Sequence, residues 1–394
     1  MKESIVIMSG ARTAIGSFGG SLKDLEATDL GGIAIKEALK RAQVAPEDVD
    51  EVVMGCVGQA AENAFMARVS SIKAGIPYEA TALTVNRLCS SGLQAIVTAA
   101  MEIDNGFCEI AVAGGGESMD NIPYYLRKAR RGYRMGHAEL EDGLVTALSD
   151  PITRDHMGIT AENIAERYQI SREDQDAYAL MSQQRAAKAR DEGRFKDEII
   201  PVEVKVNKKE TKIFDTDEHI RDNTTLEKLA KLRPAFKKDG TVTAGNASGI
   251  NDCGAAVVLM KEEEAKRRGR KPIVRIVDFA AAGVDPAYMG IGPVPAVRKL
   301  LKKTGLTLDD IGLIELNEAF ASQSLACIRE LGLDMEKVNV NGSGISMGHP
   351  IGATGCIITI KLMNEMVRRQ VKYGIATLCI GGGQGLAVLF ERCE

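Results

Sequence analysis

Short, nearly continuous apolar runs alternate along the chain with stretches whose apolar positions recur every three or four residues. Residues 4–9, 109–113, 255–260, 313–316 and 374–380 are of the first kind; residues 93–103 and 357–368 are of the second. Apolar runs without polar alternation predict strands buried on both faces, and the helical stretches predict the helices that cover them. The expected class is an α/β layered fold.

The pattern occurs twice. Pro46-Glu47-Asp48-Val49-Asp50-Glu51-Val52-Val53-Met54 reads as a helical turn feeding a strand, and Thr307-Leu308-Asp309-Asp310-Ile311-Gly312-Leu313-Ile314-Glu315 repeats it. At nearly equal intervals beyond them lie two small-residue turns, one around Cys89 and one around His349. Each turn leads into a helix and then into an apolar strand ending in glycines, Gly114-Gly115-Gly116 and Gly381-Gly382-Gly383. This self-similarity predicts two related halves, packed back to back, with a site where their loops meet.

Between Met119 and Ala247 the texture changes: residues 124–134 are basic and aromatic, 160–190 helical and charged, 205–212 polar. The expected division is a first half from 1–118 plus 248–270, an inserted loop domain at 119–247, and a second half at 271–394.

With 394 residues, 45% of them hydrophobic, the chain can fill more than one core. Its net charge of −4 and pI of about 5.8 come from interspersed charges, which gives no general basic face for nucleic acid. No apolar run approaches the ~20 residues of a membrane span. Met1-Lys2-Glu3 leads straight into a strand, without the pattern of a signal peptide. The eight cysteines include no C-x-x-C pair, which fits reduced thiols better than disulfides or zinc. A soluble, cytoplasmic enzyme is expected.

Two thiols and one histidine stand out. Cys89 lies in Asn86-Arg87-Leu88-Cys89-Ser90-Ser91-Gly92, where a helix start should favour its thiolate. Cys379 ends a strand just before Gly381-Gly382-Gly383. His349 sits in Gly348-His349-Pro350-Ile351-Gly352-Ala353-Thr354-Gly355, a turn that brings bare backbone and a single imidazole to a ligand. Asn317, in Asn317-Glu318-Ala319-Phe320, ends a strand where the carboxyl edge of a sheet meets ligands, although asparagine is also a frequent helix cap. The other six cysteines read as core. Gly342, Gly344 and Gly348 are spaced one residue too widely for a dinucleotide fingerprint, and no Gly-Lys pair exists for a phosphate loop. Together these residues suggest thiol-based acyl transfer.

These four motifs, in this order, resemble those of the thiolase family, and the likeness runs along essentially the whole chain, toward the branch of biosynthetic acetyl-CoA acetyltransferases. The resemblance implies a duplicated, five-layered fold with an inserted loop domain, and two-step chemistry. Cys89, with His349 as proton acceptor, takes an acetyl group from acetyl-CoA; Cys379 then removes a proton from a second acetyl-CoA, which condenses to acetoacetyl-CoA and releases CoA. His349 and a water held by Asn317 would stabilise the enolate, and the backbone N–H groups of Cys89 and Gly381 the acetyl carbonyl. The loop domain would carry the CoA contacts Leu148, His156, Arg221, Ala244 and Ser248. Met157, Phe236 and Met289 would keep the acyl pocket short. No metal or separate cofactor is implied, CoA thioesters being substrates, and the assembly would be a homotetramer, a dimer of dimers, to which Tyr124, Tyr125 and Tyr133 suit an interface.

Two departures bear on chain length. Ser90 and Gln94 stand as in many degradative thiolases, and Ser343-Gly344-Ile345-Ser346 replaces a common Gly-Ala-Ile-Ala. A degradative 3-ketoacyl-CoA thiolase of broader range is therefore the alternative enzyme. A non-catalytic lipid-binding relative is opposed by the intact Cys89, His349 and Cys379. A ketosynthase is opposed by the cysteine at 379, where that branch carries histidine or asparagine.

Overall fold

The computed structural model describes residues 2–393. Strands β1 (Ile5–Thr13), β2 (Glu51–Gly55), β3 (Thr81–Val85), β4 (Ile110–Ser118) and β5 (Asn251–Lys261) build one half. Strands β6 (Val274–Gly283), β7 (Leu313–Leu316), β8 (Tyr373–Ile380) and β9 (Gln384–Arg392) build the other. The helices are α1 (Ala27–Ala42), α2 (Met66–Lys73), α3 (Ser91–Asp104), α4 (Met157–Arg167), α5 (Arg172–Asp191), α6 (Pro293–Thr304), α7 (Ala321–Leu331) and α8 (Thr354–Arg369), with shorter turns between.

The strands run in the order β7-β8-β9-β6-β1-β5-β4-β2-β3 within one sheet, onto which the short pieces Gly16–Ser17 and Ile199–Ile200 are hooked. The duplication is visible in this order. From the centre outward, β5 and β9 are antiparallel to β1 and β6, β4 and β8 antiparallel to those, and β2 and β7 parallel to β4 and β8. The outermost position is unequal: β3 pairs in parallel with β2 over its length, whereas its counterpart is the single bridge Ile314–Val338.

Three core clusters define five layers. Ile35, Leu39 and Met66 of α1 and α2 pack on Val52, Val112 and Val258, and Val297, Leu300 and Ile328 of α6 and α7 pack on Ile314, Ile375 and Leu389. Between them, Ile96 and Ile103 of α3 and Ile358 and Met366 of α8 share one cluster with Ala113 and Val257 of the first half and Leu378 and Val388 of the second. The back-to-back expectation needs a correction. The halves do enclose a shared helical layer, but they also pair edge to edge, β1 to β6, through Ile5–Ile276, Val6–Arg275 and Ile7–Val274. That pairing satisfies backbone groups which two free edges would leave exposed.

In the shared layer the first turns of α3 and α8 cross with their backbones in contact. A Cβ added to Gly92 would lie 2.8 Å from the backbone N of Cys356, and one added to Gly355 would lie 2.2 Å from that of Leu93. Only glycine permits this approach. It brings together the turns that precede the two helices, and those turns carry Cys89 and His349.

The excursion folds over the second half, with α4 and α5 against α7. It is tied to the first half by a buried arginine. Arg12 reaches Glu198 at 3.0 Å and Asp217 at 2.8 Å, all three side chains being at most 2% exposed. Removing the guanidinium would strand two buried carboxylates, a loss of about 3–5 kcal/mol for one broken pair. Tyr124–Tyr125 and Glu141–Asp142 form a separate small hairpin. Among the described residues no helix is long and apolar enough to cross a membrane.

Candidate active site

Cys89 sits in a turn that the chain holds under strain. The preceding Leu88 has φ +46°, a left-handed conformation that non-glycine residues adopt at a cost of about 1–3 kcal/mol. Three hydrogen bonds fix it: Leu88 N–H to Asn86 Oδ1 at 3.0 Å, Ser91 Oγ to the Leu88 carbonyl at 2.7 Å, and Arg87 N–H to Ser91 Oγ at 2.9 Å. The half-buried Cys89 sulfur accepts hydrogen bonds from the backbone N–H of Gly381 and from its own. Burial nevertheless outweighs both bonds and, with a small contribution from the Glu117 carboxylate, pushes the thiol up to about 11. The N–H groups do favour the thiolate, as the helix start led one to expect, but they lower the cost of ionisation without overcoming desolvation.

His349 is buried and neutral. Burial pulls its pKa down from the ordinary 6.5 to about 4. Its backbone N–H donates to Asn251 Oδ1 at 2.9 Å, which anchors the turn to β5. Nδ1 lies 2.7 Å from Thr354 Oγ1, whose own proton goes to the Pro350 carbonyl at 2.9 Å. Thr354 must then accept, so Nδ1 carries the hydrogen and Nε2 keeps its lone pair. Asn317 Nδ2 stands 3.4 Å from Nε2, while Asn317 Oδ1 is buried and meets no donor.

Cys379 lies deeper, wholly buried among Met157, Met289, Ala319 and Phe320. Burial drives its thiol well above the ordinary 9.0, and the Cys89 sulfur is near enough to raise it further. Gly381 is wedged between the two chemistries, since a Cβ there would lie 3.1 Å from Leu88 Cδ1 and 3.4 Å from the Met157 sulfur. Glu117 holds the two halves together beneath the site. Its carboxylate accepts from the backbone N–H of Val57 and Gly58 at 2.9 Å and of Gly352 at 2.8 Å.

A cavity of about 480 Å³ opens onto these residues, within the range of small-molecule sites. Its walls include Cys89 and His349, together with Leu148, His156, Met157, Arg221, Phe236, Ala244, Ser248 and Met289. Asn317, Cys379 and Gly381 stand behind the lining. The wall is locked by ring packing. His156 caps α4 by accepting the Gly158 N–H at 3.1 Å and stacks on Phe236 at 4.8 Å, and Phe236 meets Phe320 edge-on at 6.2 Å. Phe236 lies flat on the backbone at Gly158, where a Cβ would be 2.2 Å from the ring.

Several residues of the site are missed by sequence reasoning. Phe18, Met119 and His219 also line the cavity; Phe18 lies in Gly16-Ser17-Phe18-Gly19-Gly20, whose glycines could have pointed to it, whereas His219 has no glycine neighbour to mark it. Phe320 and Ile351 lie within motifs already singled out, and their neighbours could have pointed to them. Among the described residues no group of histidines, cysteines and carboxylates is placed to hold a metal.

Residues 5–263 match the thiolase N-terminal domain and residues 270–392 the thiolase C-terminal domain. The chain is 54% identical over 394 residues to the beta-ketothiolase BktB of Cupriavidus necator, covering 100% of both chains. It is 53% identical over 396 residues to an acetyl-CoA acetyltransferase of Syntrophomonas wolfei, covering 99% and 100% of the two chains. Among solved structures it superposes on the acetyl-CoA acetyltransferase of Bacillus anthracis with a TM-score of 0.98 at 50% identity, covering 99% of each chain. It superposes on human mitochondrial 3-ketoacyl-CoA thiolase in complex with CoA with a TM-score of 0.95 at 47% identity, covering 99% and 98%. With both domain matches and full-length relatives at half identity, the chain belongs to the thiolase family.

Proposed function

We propose that the protein is an acetyl-CoA C-acetyltransferase, an acyltransferase that condenses two acetyl-CoA to acetoacetyl-CoA and CoA and runs the reverse thiolysis. The observation that carries this reading is that Cys89 and a neutral imidazole whose Nε2 is unprotonated line the same cavity of about 480 Å³.

In the first step His349 Nε2 takes the Cys89 proton as the sulfur attacks the thioester carbonyl. The N–H groups of Cys89 and Gly381 would receive the charge on the carbonyl oxygen. The departing CoA sulfur takes the proton of Cys379. That transfer leaves acetyl-Cys89, an imidazolium and the Cys379 thiolate, which a thiol so strongly raised would not supply by itself. In the second step this thiolate removes an α-proton from a new acetyl-CoA, and His349 with an Asn317-bound water would hold the enolate oxygen. The enolate carbon attacks acetyl-Cys89, and the expelled Cys89 sulfur recovers its proton from His349. All three groups return to their starting state, and the balance requires no metal and no redox cofactor.

Leu148, His156, Arg221 and Ala244 of the loop domain at 119–247, with Ser248 just beyond it, would bind the pantetheine and nucleotide of CoA. A homotetramer in the cytoplasm completes the proposal; the exposed Tyr124 and Met135 of the hairpin region support the assembly. Ser90 and Gln94 keep a broader degradative range as the second reading. Intact mass after incubation with acetyl-CoA is the decisive test. One acetyl group should appear, and Cys89→Ala should lose it; acetylation persisting at another cysteine would overturn the assignment.

A further inference from the structure

The Cys89 turn belongs to the first half of the chain and the Gly381 turn to the second, so their separation depends on contacts between halves. One polar side-chain contact spans them directly: Arg87 Nη1 donates to Gln384 Oε1 at 3.4 Å. The main chain is held at both ends. Arg87 is fixed by its N–H bond to Ser91 Oγ, at the foot of α3. Gln384 begins β9, paired with Ile380 on one side and Gly283 on the other, and its carbonyl presses on Gly292, where a Cβ would lie 2.0 Å away. Arg87 has no carboxylate partner among the described residues, so the amide oxygen of Gln384 is its only side-chain acceptor.

Resting on the acyl-transfer reading of this site, we propose that Arg87 and Gln384 form a strut that sets the distance from the Gly381 N–H to the Cys89 sulfur, and that both are positioning residues for acetylation. Leu88 lies between the strut and the reacting atom, and its Cδ1 bears on Gly381. The strained Leu88 turn has a soft direction, toward relaxation of its positive φ, and the strut opposes it. The Gly381 N–H lowers the Cys89 pKa against the effect of burial. Loss of the strut should therefore raise that pKa and slow attack together.

Gln384→Ala, Arg87→Ala, their double variant and Gln384→Glu are the test, read by single-turnover acetylation and by the pH profile of Cys89 alkylation with iodoacetamide. Each alanine variant is expected to slow acetylation about 10- to 100-fold, the range for a small misplacement of reacting groups. The KM for acetyl-CoA should stay unchanged, and the alkylation profile should move to higher pH. The double variant should be no slower than the worse single one, because one contact is lost in each. Gln384→Glu keeps an acceptor opposite the guanidinium and should restore most of the rate. Unchanged alkylation and acetylation in Gln384→Ala, additive losses in the double variant, or a glutamate variant as slow as the alanine one would each overturn the strut. Alkylation reads the strut even if the unaltered enzyme forms no acetyl-enzyme, a result that would defeat the functional reading alone.

Discussion

Thr354 fixes the tautomer of His349. Its hydroxyl is committed to the Pro350 carbonyl and can only accept from Nδ1, 2.7 Å away. Thr354→Val keeps the shape and removes the acceptor, leaving a buried N–H unpaired or the proton on the wrong nitrogen. We expect kcat to fall about 10²- to 10⁴-fold, as for loss of a general base, and Thr354→Ser to retain most activity. Steady-state thiolysis of acetoacetyl-CoA is the measurement, and a valine variant at full rate would mean that the tautomer is set elsewhere.

The two perturbed groups define a pH window. His349 protonates only near pH 4 and Cys89 ionises only near 11, so both stay neutral across the physiological range. His349 has a depressed pKa, so its function as an acceptor is kept as pH falls below 6.5 and is lost only toward 4. Acetylation should accordingly be flat between about pH 7 and about pH 5. Rapid-quench acetylation would show it, and an acid limb with its midpoint at the ordinary histidine value would refute the burial argument.

Cys379→Ser should separate the half-reactions. In the proposed cycle its thiol contributes a proton to one step and a base to the next, whereas the acetyl acceptor is Cys89. Acetyl-enzyme should still form, while condensation falls about 10²- to 10⁴-fold. Near-normal condensation in this variant would assign the α-proton to another group.

How far the sequence carried depends on the kind of information. Periodicity was enough for the alternating strands and helices and for the doubled Pro46–Met54 and Thr307–Glu315 pattern, because each is a local consequence of burial. Glycine context and residue chemistry singled out Cys89, His349 and Cys379. The β1–β6 pairing was not legible, since backbone hydrogen bonds between distant strands leave no mark on residue type. Nor was the direction of the Cys89 shift: a helix start is visible in Ser90-Ser91-Gly92, but desolvation depends on what the rest of the chain packs around it. His219 lies outside every motif for the same reason, reaching the cavity by tertiary placement alone.

The hairpin region offers a check on assembly. Tyr124 is 61% and Met135 95% exposed in the single chain, and large apolar side chains at such exposure mark interaction surfaces when clustered. Sedimentation equilibrium at micromolar concentration should give four chains. Replacing Tyr124, Tyr133 and Met135 with serine should reduce the mass; one chain in the unaltered protein would contradict the tetramer.

Acyl length should be limited by the sulfur-lined end of the cavity. Met157 and Met289 are 8% and 2% exposed, in one cluster with Phe320 and Cys379, and Phe236 packs against them. A longer acyl tail would have to displace side chains from a packed wall, which such walls resist. Methionine is the most adaptable of these, so Met157→Ala should open room without unseating the ring stack of His156 and Phe236. Activity on six- and eight-carbon 3-ketoacyl-CoA should then rise relative to acetoacetyl-CoA. Each methylene newly accommodated contributes about 0.8 kcal/mol, so preference should shift roughly four-fold per carbon. The same truncation should destabilise the protein by about 2–5 kcal/mol, which thermal unfolding would register separately from specificity. If the unaltered enzyme already cleaves the eight-carbon substrate as fast as acetoacetyl-CoA, the wall is not limiting. Ser90 and Gln94 would then indicate the degradative range that their counterparts in many degradative thiolases suggest.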